Sequence, residues 1–147
     1  MASRISTPWH LWLVGGLATL WNGFGCFDYT MTNVRGTEYI GSMMPGLDAE
    51  AMMAWINAFP AWVHAGWAVG VWFGLIGSIL LLARSRFALP ALIASLVGAV
   101  VTFIYQFTSA PEAPQGADGG AMPLAIIAIA VALVAYAAQM KKRGVLR

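Results

Sequence analysis

Four uncharged, apolar stretches sort the ionisable residues of this chain by sign, and that sorting constrains its fold more than any motif does. Asp28, Glu38, Asp48, Glu50, Glu112 and Asp118 fall in the first and third intervals between stretches. Arg4, Arg84, Arg86, Lys141, Lys142, Arg143 and Arg147 fall at the N-terminus, in the second interval and in the C-terminal tail, and Arg35 alone breaks the pattern. A polytopic membrane protein shows this split when its basic loops are held in the cytoplasm. The expectation is therefore an all-α, integral membrane four-helix bundle with N and C termini cytoplasmic and two loops outside.

The composition fits that class. A chain of 147 residues that is 60% hydrophobic and 10% charged has too little polar surface to cover a soluble globule. A single membrane domain, 1–147, is expected. The net charge of +2 resides beside membrane ends, where topology and anionic lipid account for it. No soluble basic surface is left for nucleic acid. The lone Cys26 excludes an intrachain disulfide and a CxxC redox or zinc site, and its expected role is that of a small buried apolar residue.

The spans are expected at 8–29, 60–83, 88–110 and 121–140, each close to the ~20 residues a bilayer requires. No charge occurs from Ala51 to Ala83, which is long for one crossing, and Pro60 divides the run. Before Pro60, Met52, Trp55, Ile56 and Phe59 follow the spacing of a helix with one apolar face. Asp48 is the expected N-cap, with Leu47 and Met52 placed as a staple, so a short amphipathic surface helix is predicted over 48–59 on the outer side. The interval from Thr30 to Pro45 shows no clear period and reads as a loop, as does the Pro/Gly/Ala stretch from Pro111 to Gly120. Arg84 to Phe87 leaves room only for a tight turn, which makes the second and third spans antiparallel neighbours.

Packing signals outnumber chemical ones. Gly66, Gly70 and Gly74 form two GxxxG steps and Gly77 continues the row, a surface that lets a neighbouring helix backbone approach closely. Comparable small-residue ridges run along the first span (Gly15, Ala18, Asn22), the third (Ala91, Ser95, Gly98, Thr102) and the fourth (Ala125, Ala128, Ala132, Ala135). Any one of them suits either a helix of the same chain or a second chain.

Depth along alternating spans, at ~1.5 Å of rise per residue, brings several polar and aromatic residues to one outer level. On the first span these are Trp21, Asn22, Asp28 and Tyr29; on the second and third they are His64, Trp67, Thr102, Tyr105 and Gln106. They form a candidate outer polar cluster or ligand site, and Asn22 most needs a partner because hydrocarbon would leave its amide unsatisfied. His64 and Asp28 are the one pair placed for acid–base work. His10 lies at the opposite membrane face from His64, so the two histidines cannot share one haem. No metal-ligand spacing and no Ser nucleophile with an evident base occur, so no catalytic residue, metal or cofactor is assigned. No acid lies deep in a span, which disfavours proton-coupled exchange.

Pro8, Trp9, Trp12, Gly15, Trp21, Asn22, Asp28, Tyr29, Met31 and Thr32 resemble a recurring pattern, continued by Phe59, Pro60 and Trp62 and by the ending Arg143, Gly144, Val145, Leu146. The chain resembles, over nearly its whole length, a family of short four-helix proteobacterial inner-membrane proteins often catalogued as "sugar transporter". The resemblance implies a multi-pass protein of the bacterial inner membrane, with acidic loops in the periplasm, in which the outer end of the first helix matters. The leading functional expectation is a non-enzymatic interaction or accessory subunit of a membrane assembly, using a small-residue ridge with Gly66, Gly70 and Gly74 as the first candidates. Its partners would be membrane lipids and other membrane-protein subunits, or a second copy of the chain. The rival is an oligomeric carrier or receptor for a small neutral, sugar-type solute with an outward-facing polar pocket.

Overall fold

A computed structural model describes residues 6–117 and 120–147; Arg4 and Asp118, two of the charges in the sign pattern, lie outside the described residues. The described residues form six helices and no strand: α1 Trp9–Arg35, α2 Thr37–Met43, α3 Ala49–Asn57, α4 Ala61–Leu82, α5 Ala88–Thr108 and α6 Ala121–Lys142. Three of them, α4, α5 and α6, are long and apolar enough to cross a membrane. The sequence reading expected four. α1 is the longest helix, but His10, Asn22 and three tryptophans dilute its leucines, and Asp28, Asn33 and Arg35 occupy its last two turns.

The closest pairing is α4 against α5. A Cβ on Gly98 would stand 2.5 Å from the Gly66 carbonyl oxygen and 2.7 Å from the Gly70 amide nitrogen, so the two backbones nearly touch. Ser95 donates its hydroxyl across the contact to the Gly70 carbonyl at 2.6 Å, while Thr102 satisfies its own by donating to Gly98 one turn earlier. Dispersion and hydrogen bonding hold helices together where lipid is as apolar as the side chains, and close approach of small residues maximises both. The tight turn predicted after α4 is real, and Arg84 in it adopts φ 58, the left-handed region that an L residue enters at a cost.

α1 runs antiparallel to α4. A Cβ on Gly15 would collide with the Leu82 side chain at 2.6 Å, one on Gly25 would meet Val71, and one on Gly74 would meet the Asn22 amide oxygen at 2.3 Å. The buried Cys26 donates its thiol to the Val71 carbonyl at 3.2 Å, the small buried role expected of it. α5 packs on α6 in turn, whereas α1 and α6 make no comparable contact along their length. The four long helices thus form an open row folded round on itself, not a closed bundle. α1 and α6 meet at one end, where the His10 Nδ1 and Tyr136 hydroxyl lie 2.6 Å apart.

That end holds the core. Leu11, Leu81, Ala88, Leu92, Leu133 and Met140 pack with Val145 and Leu146, which return under the α4–α5 turn. The return is made at Gly144, φ 71, where Gly144 N–H bonds Lys141 O and Val145 N–H bonds Met140 O, a Schellman closure of α6. Arg147 then exchanges backbone hydrogen bonds with Arg84 and Arg86 at 2.8 Å each.

At the opposite end the structure departs from the sequence reading. The interval expected to be a loop, Thr30 to Pro45, is largely helical: α1 continues to Arg35 and α2 follows at once. Thr30 and Asn33 bond back to the carbonyls of Cys26 and Tyr29, which reconciles these weak helix formers with the helix. Gly36, at φ 50, stops α1 and turns the chain. Arg35, the one residue that broke the sign pattern, pairs with Glu38 across that turn. α3 lies where the surface helix was expected, and Asp48 caps it by accepting the Ala51 N–H at 3.0 Å.

Candidate functional site

Because α1 and α6 part from each other, a cleft of about 430 Å³ opens between them, floored by α4 and α5. Its walls are overwhelmingly apolar: Phe24 from α1, Val71 from α4, Phe103 from α5 and Ile126, Ile129 and Leu133 from α6. Its polar groups are Asn22, Asp28, Ser95, Thr102 and Gln106, and Met43 and Met44 at the end of α2 stand at the entrance. At the deep end, Leu92 and Leu133 belong both to the cleft and to the buried core, so the slot is blind there.

The expected outer cluster separates into two groups. Trp21, Asn22, Asp28, Trp67 and Gln106 all line the cleft. Tyr29 does not line it, but its ring meets Trp67 edge-on at 4.9 Å and backs that wall. His64 and Tyr105 are elsewhere. Tyr105 is wedged between Phe59 and Trp62, with centroids 5.3 and 5.5 Å away, and His64 leans on Phe59. Depth along a helix determines which residues share a level, not which share a face; Tyr105 and Gln106 are consecutive and so point ~100° apart.

The polar groups inside the cleft differ in availability. Asn22 is already engaged, donating to Ala18 O at 2.9 Å and to Ser78 Oγ at 3.0 Å, while Ser78 donates to Gly74 O. Ser95 and Thr102 are engaged with helix carbonyls. Asp28 accepts the Tyr39 hydroxyl at 2.9 Å through Oδ1, its bonded partner in place of the expected His64. Burial first, then that hydrogen bond and the Asp28 charge, push the Tyr39 hydroxyl up to about 12, so Tyr39 is a neutral donor at any physiological pH. Oδ2 of Asp28 and the amide of Gln106 remain open at the mouth. Tyr39 was not singled out from the sequence, since its partner lies eleven residues back across a turn that read as loop.

The glycine row of α4 is occupied within the chain. A Cβ on Gly66 or Gly70 would meet α5, on Gly74 would meet Asn22 and Ser95, and on Gly77 would meet Leu92 at 2.7 Å. Gly77 and Gly74 are buried. The ridge of α5 is likewise buried at Ala91, Ser95, Gly98 and Thr102. By contrast Ala125, Ala128, Ala132 and Ala135 of α6 are all exposed. Among the described residues no group of three or more His, Cys, Asp or Glu side chains is placed to hold a metal ion.

No family model, curated protein or solved structure matches this chain.

Proposed function

We propose that the chain is a four-span protein of a bacterial inner membrane, with termini in the cytoplasm, and that it serves as a non-enzymatic interaction subunit that receives another membrane-embedded helix along α6. The observation that carries this reading is the contrast between ridges. Those of α4 and α5 are consumed by packing within the chain, while the four alanines of α6 present a smooth face to whatever surrounds the molecule. A helix that meets lipid alone gains nothing from small residues there; one that meets another backbone gains close contact and dispersion energy.

The fourth span is supported by packing and not by hydropathy. α1 lies alongside α4 from the Gly15–Leu82 contact to the Gly25–Val71 contact, which supports its sharing the membrane with α4. Trp9 to Phe27 carries no Asp, Glu, Lys or Arg and would reach ~28 Å, close to the ~30 Å hydrocarbon core. Leu13, Leu17, Leu20 and Phe24 are more than half exposed, a bulky face suited to acyl chains and costly in water. A sugar-type carrier draws less support, because Asn22, Ser95 and Thr102 spend their donors on helix partners.

The test is assembly. Chemical cross-linking in native membranes, followed by gentle solubilisation, should trap the wild-type chain with a partner or a second copy. Ala128→Leu combined with Ala132→Leu should dissolve that complex, and Leu17→Ala on the exposed face of α1 should not. A wild-type chain that runs as a monomer without companions, or a complex indifferent to the double substitution, overturns the reading.

A further inference from the structure

We infer that the cleft between α1 and α6 is a binding slot for one phospholipid that carries a primary ammonium headgroup, of the phosphatidylethanolamine type. The inference rests on the membrane reading of α1 and α4 to α6, and not on a partner at α6.

The shape argues for a hydrocarbon chain. Along α5 the lining runs from Leu92 to Gln106, roughly 20 Å at 1.5 Å per residue, and along α6 from Met122 to Leu133, roughly 16 Å. A slot this long and about 430 Å³ in volume is elongated along the helices, the shape of an extended acyl chain. It runs parallel to the helices, is blind at the core, where Asn22 and Ser95 are spent on helix partners, and has its open polar groups, Asp28 and Gln106, at the other end, the polarity of an amphiphile with its tail inward. The parting of α1 from α6 gives it a lateral entry, the side from which a lipid arrives. Met43 and Met44, half exposed at the mouth, are adaptable side chains able to follow an irregular ligand.

The mouth argues for the headgroup. Tyr39 fixes one oxygen of the half-buried Asp28 carboxylate, which leaves the second free to accept. Gln106, half-buried across the slot, has no hydrogen-bond partner among the described residues. Glu38 is paired with Arg35, so the charge left at this end is the Asp28 carboxylate, which attracts an ammonium and repels an anionic headgroup. An ammonium seated on Asp28 makes a charge-assisted hydrogen bond, and the Gln106 amide can bond the phosphate or glycerol esters above the chain.

The full chain, reconstituted in nanodiscs of equal parts phosphatidylethanolamine and phosphatidylglycerol and then extracted into mild detergent, should retain one lipid per chain by native mass spectrometry. Retained lipid should be enriched in the ethanolamine form by about fivefold, the worth of one good hydrogen bond. Ala130→Phe, which plugs the slot from the loosely packed α6 side, should lower retention by about tenfold while helicity stays as in the wild type. Asp28→Asn should keep the lipid but bring the headgroup ratio towards one. A wild-type chain that retains no lipid, equal retention of the two headgroups by the wild type, or a ratio unchanged in Asp28→Asn overturns the proposal; the last two hold even if Ala130→Phe fails to fold.

Discussion

At the scale of single residues, the glycines divide into those that a side chain would break and those that it would improve. Gly98 sits where a Cβ meets backbone atoms of Gly66 and Gly70 from 2.5 to 3.1 Å, and backbone cannot swing aside as a side-chain tip can. Gly16, two turns into α1, has nothing within 4 Å. Gly98→Ala should therefore lower stability by at least ~2 kcal/mol through overpacking, while Gly16→Ala should raise it by about 0.5–1 kcal/mol through backbone entropy. Thermal unfolding in detergent, monitored by far-ultraviolet circular dichroism, reads both; a Gly98→Ala chain that melts with the wild type would refute the close α4–α5 crossing. Part of this was legible beforehand. The GxxxG steps of α4 marked a close-packed face, but which neighbour filled it depended on Gly98 and Ser95 being in phase across the contact, and spacing within one helix carries no information on phase between two. Asn22 likewise announced that it needed a partner, without revealing that Ser78 was the one.

At the scale of elements, the reading succeeded where hydrophobic runs or a cap defined a helix and failed where weak helix formers continued one. α4, α5 and α6 occupy the expected intervals, and α3 begins at the Asp48 cap as the sequence required. α2 and the last turn and a half of α1 were missed, because threonine, asparagine and glycine read as loop until Thr30 and Asn33 are seen bonding back to α1 and Gly36 is seen at φ 50. The consequence for α3 is testable. This nine-residue helix is too short to persist unaided and depends on its cap and on the Trp55 indole N–H donated to Pro111 O at 2.8 Å. Asp48→Ala should cost about 1 kcal/mol, concentrated locally. Hydrogen exchange should then quicken at the amides of Ala51 to Asn57 while those of α4 and α5 keep their protection; uniform loss of protection would mean that α3 is coupled to the whole fold.

At the scale of the molecule, the antiparallel row places Arg84, Arg86, Lys141, Lys142, Arg143 and Arg147 at the end where α6 finishes, and Asp28, Glu38, Asp48, Glu50 and Glu112 at the other. The basic end also holds the tightest core, the His10–Tyr136 contact and the Arg147 backbone bridge, whereas the acidic end carries the cleft mouth and the small helices. Such a molecule is anchored at one end and adaptable at the other, and its orientation decides which membrane face the slot serves. Hydropathy and packing disagree on the number of crossings, and a single labelling experiment separates them. With Cys26 replaced by Ser, cysteines introduced at Thr7, Glu38, Glu112 and Lys141 are probed in intact cells with a membrane-impermeant maleimide. Four crossings with cytoplasmic basic loops require Glu38→Cys and Glu112→Cys to react, and Thr7→Cys and Lys141→Cys to stay unreactive until the cells are opened. If α1 did not cross, positions 7 and 38 would share one face and react alike. That result would overturn the four-span reading proposed from the packing of α1 along α4.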